Sequence, residues 1–293
     1  MRWQRYDGAS NMQDKLNGLK TLILNDNLVA YYVHCFAHQF QLTLVVVAKN
    51  LIQIATFFSL VNRVFNLVGA SCERCETLSE KWVAEVVEAL KNNEISTGCD
   101  LNQEKNLKRL DETRWSSHYG AAISLITMFS SVINTVEDIV EDGLNSEQKA
   151  DANILIQSLQ TFDFCFQFTF DEKCFGNYKW VISSTTTKRS WYSECNEVSW
   201  NFKAAFVSYE RRWVEFIFEE VSKFCAKNNI VVPNMDELYQ PQSRQKAQDV
   251  KNLHYYPVEL YYTVINMQLQ ELNNRFNEAS SKLLLCVACL SFR

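Results

Sequence analysis

Glycine and proline are scarce in this chain: 7 Gly and 3 Pro among 293 residues. Tight hairpins and left-handed turns depend on these two residues, so a chain this poor in them is not built from many short strands. It is committed to long helices, and the apolar spacing agrees. Ile54, Phe57, Phe58, Val61, Val64, Phe65 and Val68 recur at three- and four-residue steps and stop at Gly69, which predicts a helix with one buried face and a glycine at its end. Val83, Val86, Val87 and Leu90 repeat the pattern within Glu80–Leu90. One long helix is expected over Thr113–Glu141, on Ile123, Ile126, Phe129, Val132, Ile133, Val136 and Val140. Ser146 is placed to cap another, running through Ile154, Leu155, Leu159 and Phe162. Asn92–Asn106 is polar and reads as a surface loop.

The amino-terminal fifty residues have a different texture. Ala30-Tyr31-Tyr32-Val33-His34-Cys35 is short, aromatic and β-branched, and reads as a buried strand. Leu16, Leu19 and Ile23 predict a short helix before it, and a second helix is expected over His38–Lys49. Near the other end, Asn228–Leu253 is polar, carries Pro233 and Pro241, and reads as a linker. Pro257 suits the first turn of a last amphipathic helix on Leu260, Val264, Met267, Leu269, Leu272 and Phe276.

Apolar residues make up 47% and charged residues 22%, the range of a soluble globular protein. A net charge of −5 leaves no strongly basic surface, so any nucleic-acid contact must come from a local patch. Ten Cys fall short of a disulfide-scaffold density, and a reducing cytosolic or nuclear compartment is expected. The apolar runs Leu42–Ala48 and Leu283–Leu290 are far shorter than the roughly 20 residues that span a bilayer, so no membrane partner is expected.

Three clusters could carry chemistry. Asp7, in Tyr6-Asp7-Gly8-Ala9-Ser10-Asn11-Met12, is a carboxylate between a strand and a helix, where it could hold a divalent metal or simply cap the turn. Cys35 and His38 form Cys-x-x-His, which fits half of a zinc site completed by Cys72 and Cys75, or ordinary packing residues. Arg114 and Trp115, in Thr113-Arg114-Trp115-Ser116-Ser117-His118, offer a phosphate clamp and a stacking plate, or a helix entry whose Trp packs inward. Cys286 and Cys289 sit in an apolar run and read as core. The sequence holds no glycine-rich phosphate loop and no nucleophile elbow.

The order and spacing of these clusters resemble the hAT superfamily of DNA transposases, and within it the zinc-finger MYM-type and TTF-type transposase-derived proteins. Asn252-Leu253-His254 and Gln268-Leu269-Gln270-Glu271-Leu272-Asn273 are similar to that subgroup as well. The resemblance implies a remnant of an RNase H-like α/β core interrupted by a large helical insertion, in a chain that is mainly α. It implies that Asp7 stands at the second of three acidic positions that together hold two metal ions. Cys35 and His38 then line the active site, and Arg114 and Trp115 stabilise a flipped base. Magnesium is the ion of the intact family; with one carboxylate of three, no cofactor is expected here. The first acidic position lies upstream of Asp7 in the family, and the Ser-Glu-Arg-x-Phe-Ser-like motif with the third does not occur. The chain is therefore expected to be truncated at both ends and inactive in strand cleavage.

The domains expected are a partial RNase H-like core at 1–50, a helical insertion-type region at 51–227, a linker at 228–253 and a helical segment at 254–293. Residues 168–214 are expected to be translated out of frame relative to the ancestral gene. No Leu occurs between Leu159 and Leu238 although the chain holds 28, and Trp180, Trp191, Trp200 and Trp213 crowd the same stretch. The expected setting is the nucleus, with the cytoplasm as the alternative; DNA is a weakly supported partner, and the intact family's homo-oligomer is not expected because its dimerisation region is missing here. The alternatives are a non-catalytic helical module binding protein or DNA, and a non-functional remnant of an element.

Overall fold

The computed structural model describes residues 3–6, 12, 14, 16–28, 31–34, 36–92, 115–143, 145–170, 172, 210–240 and 249–275. Among these the fold is mainly α, as the scarcity of glycine and proline requires.

The expected strand is present as β2 (Tyr31–His34), and it pairs in parallel with β1 (Trp3–Tyr6), from Trp3 opposite Tyr31 to Tyr6 opposite His34. Parallel neighbours need a crossover connection, and α1 (Leu19–Asp26) lies in it. A turn at Asp14 leads into that helix. The Asp14 carboxylate accepts from the Asn17 N–H at 2.9 Å, and its carbonyl accepts from the Thr21 hydroxyl at 2.8 Å. Gly18 closes this turn so tightly that a Cβ there would lie 2.4 Å from the Asp14 nitrogen.

A stack of helices follows: α2 (Phe36–Asn50), α3 (Ile52–Gly69), α4 (Cys72–Lys91), α5 (Trp115–Thr127), α6 (Phe129–Asp142), α7 (Ser146–Leu159), α8 (residues 162–170) and α9 (Glu210–Lys227). α3 is central, packing against α2, α4, α5 and α7. The apolar residues that predict it (Ile54, Phe57, Phe58, Val61, Val64, Phe65 and Val68) are all buried. α3 is long and apolar enough to cross a membrane, as α5 and α6 are if taken as one bent span. In this fold its apolar face is filled by neighbouring helices. Polar ties bind the stack at its surface: Arg63 to Asp151 between α3 and α7, Lys81 to Asp138 and Glu85 to Ser131 (2.7 Å) between α4 and α6.

For two helices of this stack the expectation is corrected. The single helix over Thr113–Glu141 is two helices, α5 and α6, bent by 81° at Met128. No glycine or proline marks the corner. It is set by burial: Met128 and Phe129 turn inward, and the Phe129 ring meets Phe224 at 5.1 Å and Phe164 at 6.4 Å. The helix capped near Ser146 is capped by Asn145, whose side chain accepts from the Glu147 N–H, and it ends at Leu159 short of Phe162.

α8 then starts afresh, with the Thr161 hydroxyl accepting from the Phe164 N–H at 3.3 Å. Its phenylalanines, Phe162, Phe164, Phe166, Phe168 and Phe170, alternate along the chain, and all are buried. Alternate residues on a helix point about 200° apart, so five rings spread over its whole circumference. Residues 164–170 are accordingly buried on every side, and α8 is the inner rod of the core.

The polar segment 228–253 is tied back on the bundle in its described residues. α9 ends on Asn229, at φ 56°, with the Ile230 N–H donating to the Cys225 carbonyl at 2.9 Å; this is a Schellman-type stop. Tyr239 N–H donates to Val250 O, Asn252 N–H to Glu237 O and Leu253 N–H to Met235 O, joining the segment's two ends in an antiparallel ribbon. A short turn α10 (Asn252–His254) passes into a π-helical stretch, Tyr255–Tyr262, and then α11 (Thr263–Arg275), which packs on α2. Pro257 therefore lies inside a wide helical turn rather than at the start of the last helix. A proline lacks the N–H that an α-helical ladder needs, and a π-turn is one way to accommodate it.

Candidate functional site

Tyr6, the last residue of β1, is paired with His34, the last residue of β2. In sequence the next residue after the first is Asp7, and after the second Cys35. Asp7, Cys35 and Arg114 lie outside the described residues. His38 is in the first turn of α2 and is half-buried. Trp115 opens α5, with its side chain outside the described set. The helix carrying His38 and the helix opened by Trp115 pack on one another. His118, one turn into α5, sets its imidazole edge-on against Phe58, ring centres 4.8 Å apart.

Cys72 and Cys75 lie on the exposed start of α4, where the Cys75 thiol donates to the Val68 carbonyl at 3.6 Å. Arg74, between them in sequence, donates to the Leu67 carbonyl at 3.0 Å and to Gln148 at 2.8 Å. Among the described residues no group of three or more His, Cys, Asp and Glu converges as metal ligands would. The out-of-frame expectation for 168–214 falls mostly outside the described residues. Those described, 168–170, 172 and 210–214, are helical, and Phe168 and Phe170 are core.

The structure assembles two polar features that no motif or spacing signals. One is a carboxylate–phenol cluster. Asp163 on α8 accepts from the Tyr256 hydroxyl at 2.6 Å and from the Tyr239 hydroxyl at 3.1 Å. Tyr239 stacks on Tyr255 at 3.5 Å, and Tyr256 packs edge-on against Phe162 at 5.0 Å. Burial pushes the Asp163 carboxyl above its ordinary range, against the two phenol hydrogen bonds. Burial and the facing carboxylate push both phenols upward, so they stay protonated donors. The cluster ties segment 228–262 to the inner rod.

The other is an open cleft of ≈ 570 Å³ where the end of α9 meets α6 and the α7–α8 turn, lined by Ser130, Asn134, Glu137, Thr161, Lys227 and Asn228 among others. Ser130 and Asn228 meet across it at 3.3 Å. No protein-family model matches the sequence, and no solved structure matches the fold.

Proposed function

We propose that this chain derives from a hAT-type transposase and acts in the nucleus as a helical, DNA-engaging module that does not cut DNA. The observation that carries this reading is the parallel β1–α1–β2 unit, followed by a stack of helices. A parallel strand–helix–strand unit is the building block of an α/β core. The two paired strand ends directly precede Asp7 and Cys35, and His38 follows in the first turn of α2. Residues joined to the carboxyl ends of neighbouring parallel strands are where open α/β sheets place their sites. Residues 1–50 then correspond to part of an RNase H-like core and the following helices to the insertion. Arg114 and Trp115, where α5 begins, correspond to the base-stacking pair.

Two-metal strand cleavage needs carboxylates on both ions, and these residues supply one of three. Purified chain with magnesium or manganese should leave supercoiled and linear DNA uncut, while a gel-shift detects binding that Arg114→Ala and Trp115→Ala weaken. Cleavage abolished by Asp7→Ala would overturn the non-cutting assignment. Lack of any DNA affinity, with no single-base shift near codon 168 that opens a leucine-bearing frame, would overturn the ancestry.

A second reading, a helical module that binds protein, is favoured by apolar residues left open around α1. Leu16 and Leu28 are 78% and 90% exposed, and Leu19 and Leu22 are exposed between them.

A further inference from the structure

We infer that Tyr239 is a tyrosine-phosphorylation site whose modification releases the ribbon of segment 228–262 from the inner rod. The ribbon is closed by its own backbone: the Tyr239 N–H donates to Val250 O at 2.8 Å, the Asn252 N–H to Glu237 O at 2.9 Å and the Leu253 N–H to Met235 O at 2.9 Å. It is joined to α8 by Asp163, which accepts from the Tyr256 hydroxyl at 2.6 Å and from the Tyr239 hydroxyl at 3.1 Å. Of the three phenols gathered there, Tyr239 is the one a kinase can reach. Tyr256 is buried, and Tyr255 lies with it in the π-helical stretch behind Asn252-Leu253-His254. Tyr239 lies outside any helix and is half-buried, between exposed Asp236, Glu237 and Leu238 on one side and exposed Gln240 on the other. Carboxylates two and three residues ahead of the hydroxyl complement a kinase with a basic substrate groove.

For the transfer the Tyr239 ring swings out, leaving its 3.5 Å stack on Tyr255 and the longer of the two hydrogen bonds to Asp163. The phenol oxygen attacks the γ-phosphorus of ATP and an O–P bond forms. The bond from that phosphorus to the β–γ bridging oxygen breaks, the phenol proton passes to the kinase, and ADP leaves. The modified side chain cannot dock again. At 3.1 Å from the phenol oxygen, the Asp163 oxygen occupies the place that a phosphate oxygen would take. The group that donated a hydrogen bond to the carboxylate is now an anionic acceptor, and a phosphate set beside an aspartate is repelled. Tyr256 alone then faces Asp163, and the clip between ribbon and rod is halved.

The test uses the full chain with ATP, magnesium and a tyrosine kinase that selects acidic segments, read by peptide mass spectrometry and by amide hydrogen exchange. The expected result is phosphate on Tyr239 and exchange in 235–240 and 250–262 faster by about tenfold, with α3 unchanged, because a hydrogen bond to a carboxylate has given way to repulsion. Tyr239→Phe keeps the ring and removes the acceptor oxygen, so kinase treatment should add no phosphate to that peptide and should not change its exchange. Absence of phosphate from Tyr239 of the native chain, or phosphate on Tyr255 in its place, would overturn the site. Phosphate on Tyr239 with exchange unchanged would overturn the release, as would faster exchange in kinase-treated Tyr239→Phe.

Discussion

Tyr256→Phe removes one hydroxyl and keeps the ring. The contacts of that ring with Phe162, Phe166 and Phe218 at 5.0, 4.9 and 6.1 Å survive, so the change isolates the 2.6 Å bond to Asp163. A bond of this length to a carboxylate is charge-assisted, and its loss should cost about 1.5–3 kcal/mol. The Tyr239 hydroxyl remains on the other oxygen at 3.1 Å, which favours the lower half of that range. The sign of the pH dependence follows from the direction of the Asp163 shift. Its folded pKa lies above the unfolded one, so the native state holds that proton more tightly. The stabilising contribution is complete below the unfolded value of about 3.9 and is lost as pH rises through the folded value. Removing one phenol donor raises the folded value further, because the ionised form loses a partner. The deficit of Tyr256→Phe against the parent should therefore be largest near neutral pH and shrink towards pH 4. Urea unfolding followed by circular dichroism, repeated from about pH 8 to about pH 4.5, measures it. A cost under about 0.5 kcal/mol at neutral pH, or one that does not change with pH, would refute the assignment of Asp163 as a buried carboxylate held by two phenols.

Two other substitutions test the backbone reading. Asn229 stops α9 at φ 56°, so Asn229→Gly should hold or raise stability by a few tenths of a kcal/mol, whereas Asn229→Val should lower it by about 1–2 kcal/mol, both read by thermal melting. Gly120 lies within α5 with open space where a Cβ would go, so Gly120→Ala should stabilise by about 0.5–1 kcal/mol. The same change at Gly143, where the Cβ would lie 2.4 Å from the Ile139 carbonyl oxygen, should destabilise, and equal effects at the two sites would contradict the geometry.

Local pattern was enough for the elements whose burial is one-sided. α3 is legible in the steps from Ile54 to Val68, because it buries one continuous face, and β2 in the short aromatic and β-branched run Tyr31–His34. The corner at Met128 was not legible, since the apolar steps run through it unbroken and only the packing of Phe129 against Phe164 and Phe224 bends the chain. α8 was hidden for a different reason. A helix buried on all sides has no polar face, so it loses the 3.6-residue signature by which helices are found. The cluster at Asp163 joins partners 76 and 93 residues away, Tyr239 and Tyr256. No motif spacing encodes a contact that exists only once the bundle has closed. Of the site residues suggested by motif, His38 and the backbone of Trp115 are placed on helices that touch; Asp7, Cys35 and Arg114 fall outside the described residues.

The alternation of phenylalanines in 162–170 has a consequence for the chain before it folds. Drawn out as a strand, Phe-Asp-Phe-Cys-Phe-Gln-Phe-Thr-Phe puts five rings on one side and Asp163, Cys165, Gln167 and Thr169 on the other. That is a self-complementary template for a dry cross-β zipper, with no proline to interrupt it and one carboxylate as its only charge. The helical state of this segment is imposed by the surrounding helices, so its conformation is a property of the finished bundle. During synthesis or partial unfolding the same nine residues are free to choose the other ladder, and Asp163 stands as their single gatekeeper. The carboxylate whose burial is unfavourable in the native core is thus the group that keeps like segments of neighbouring chains apart when the core is open.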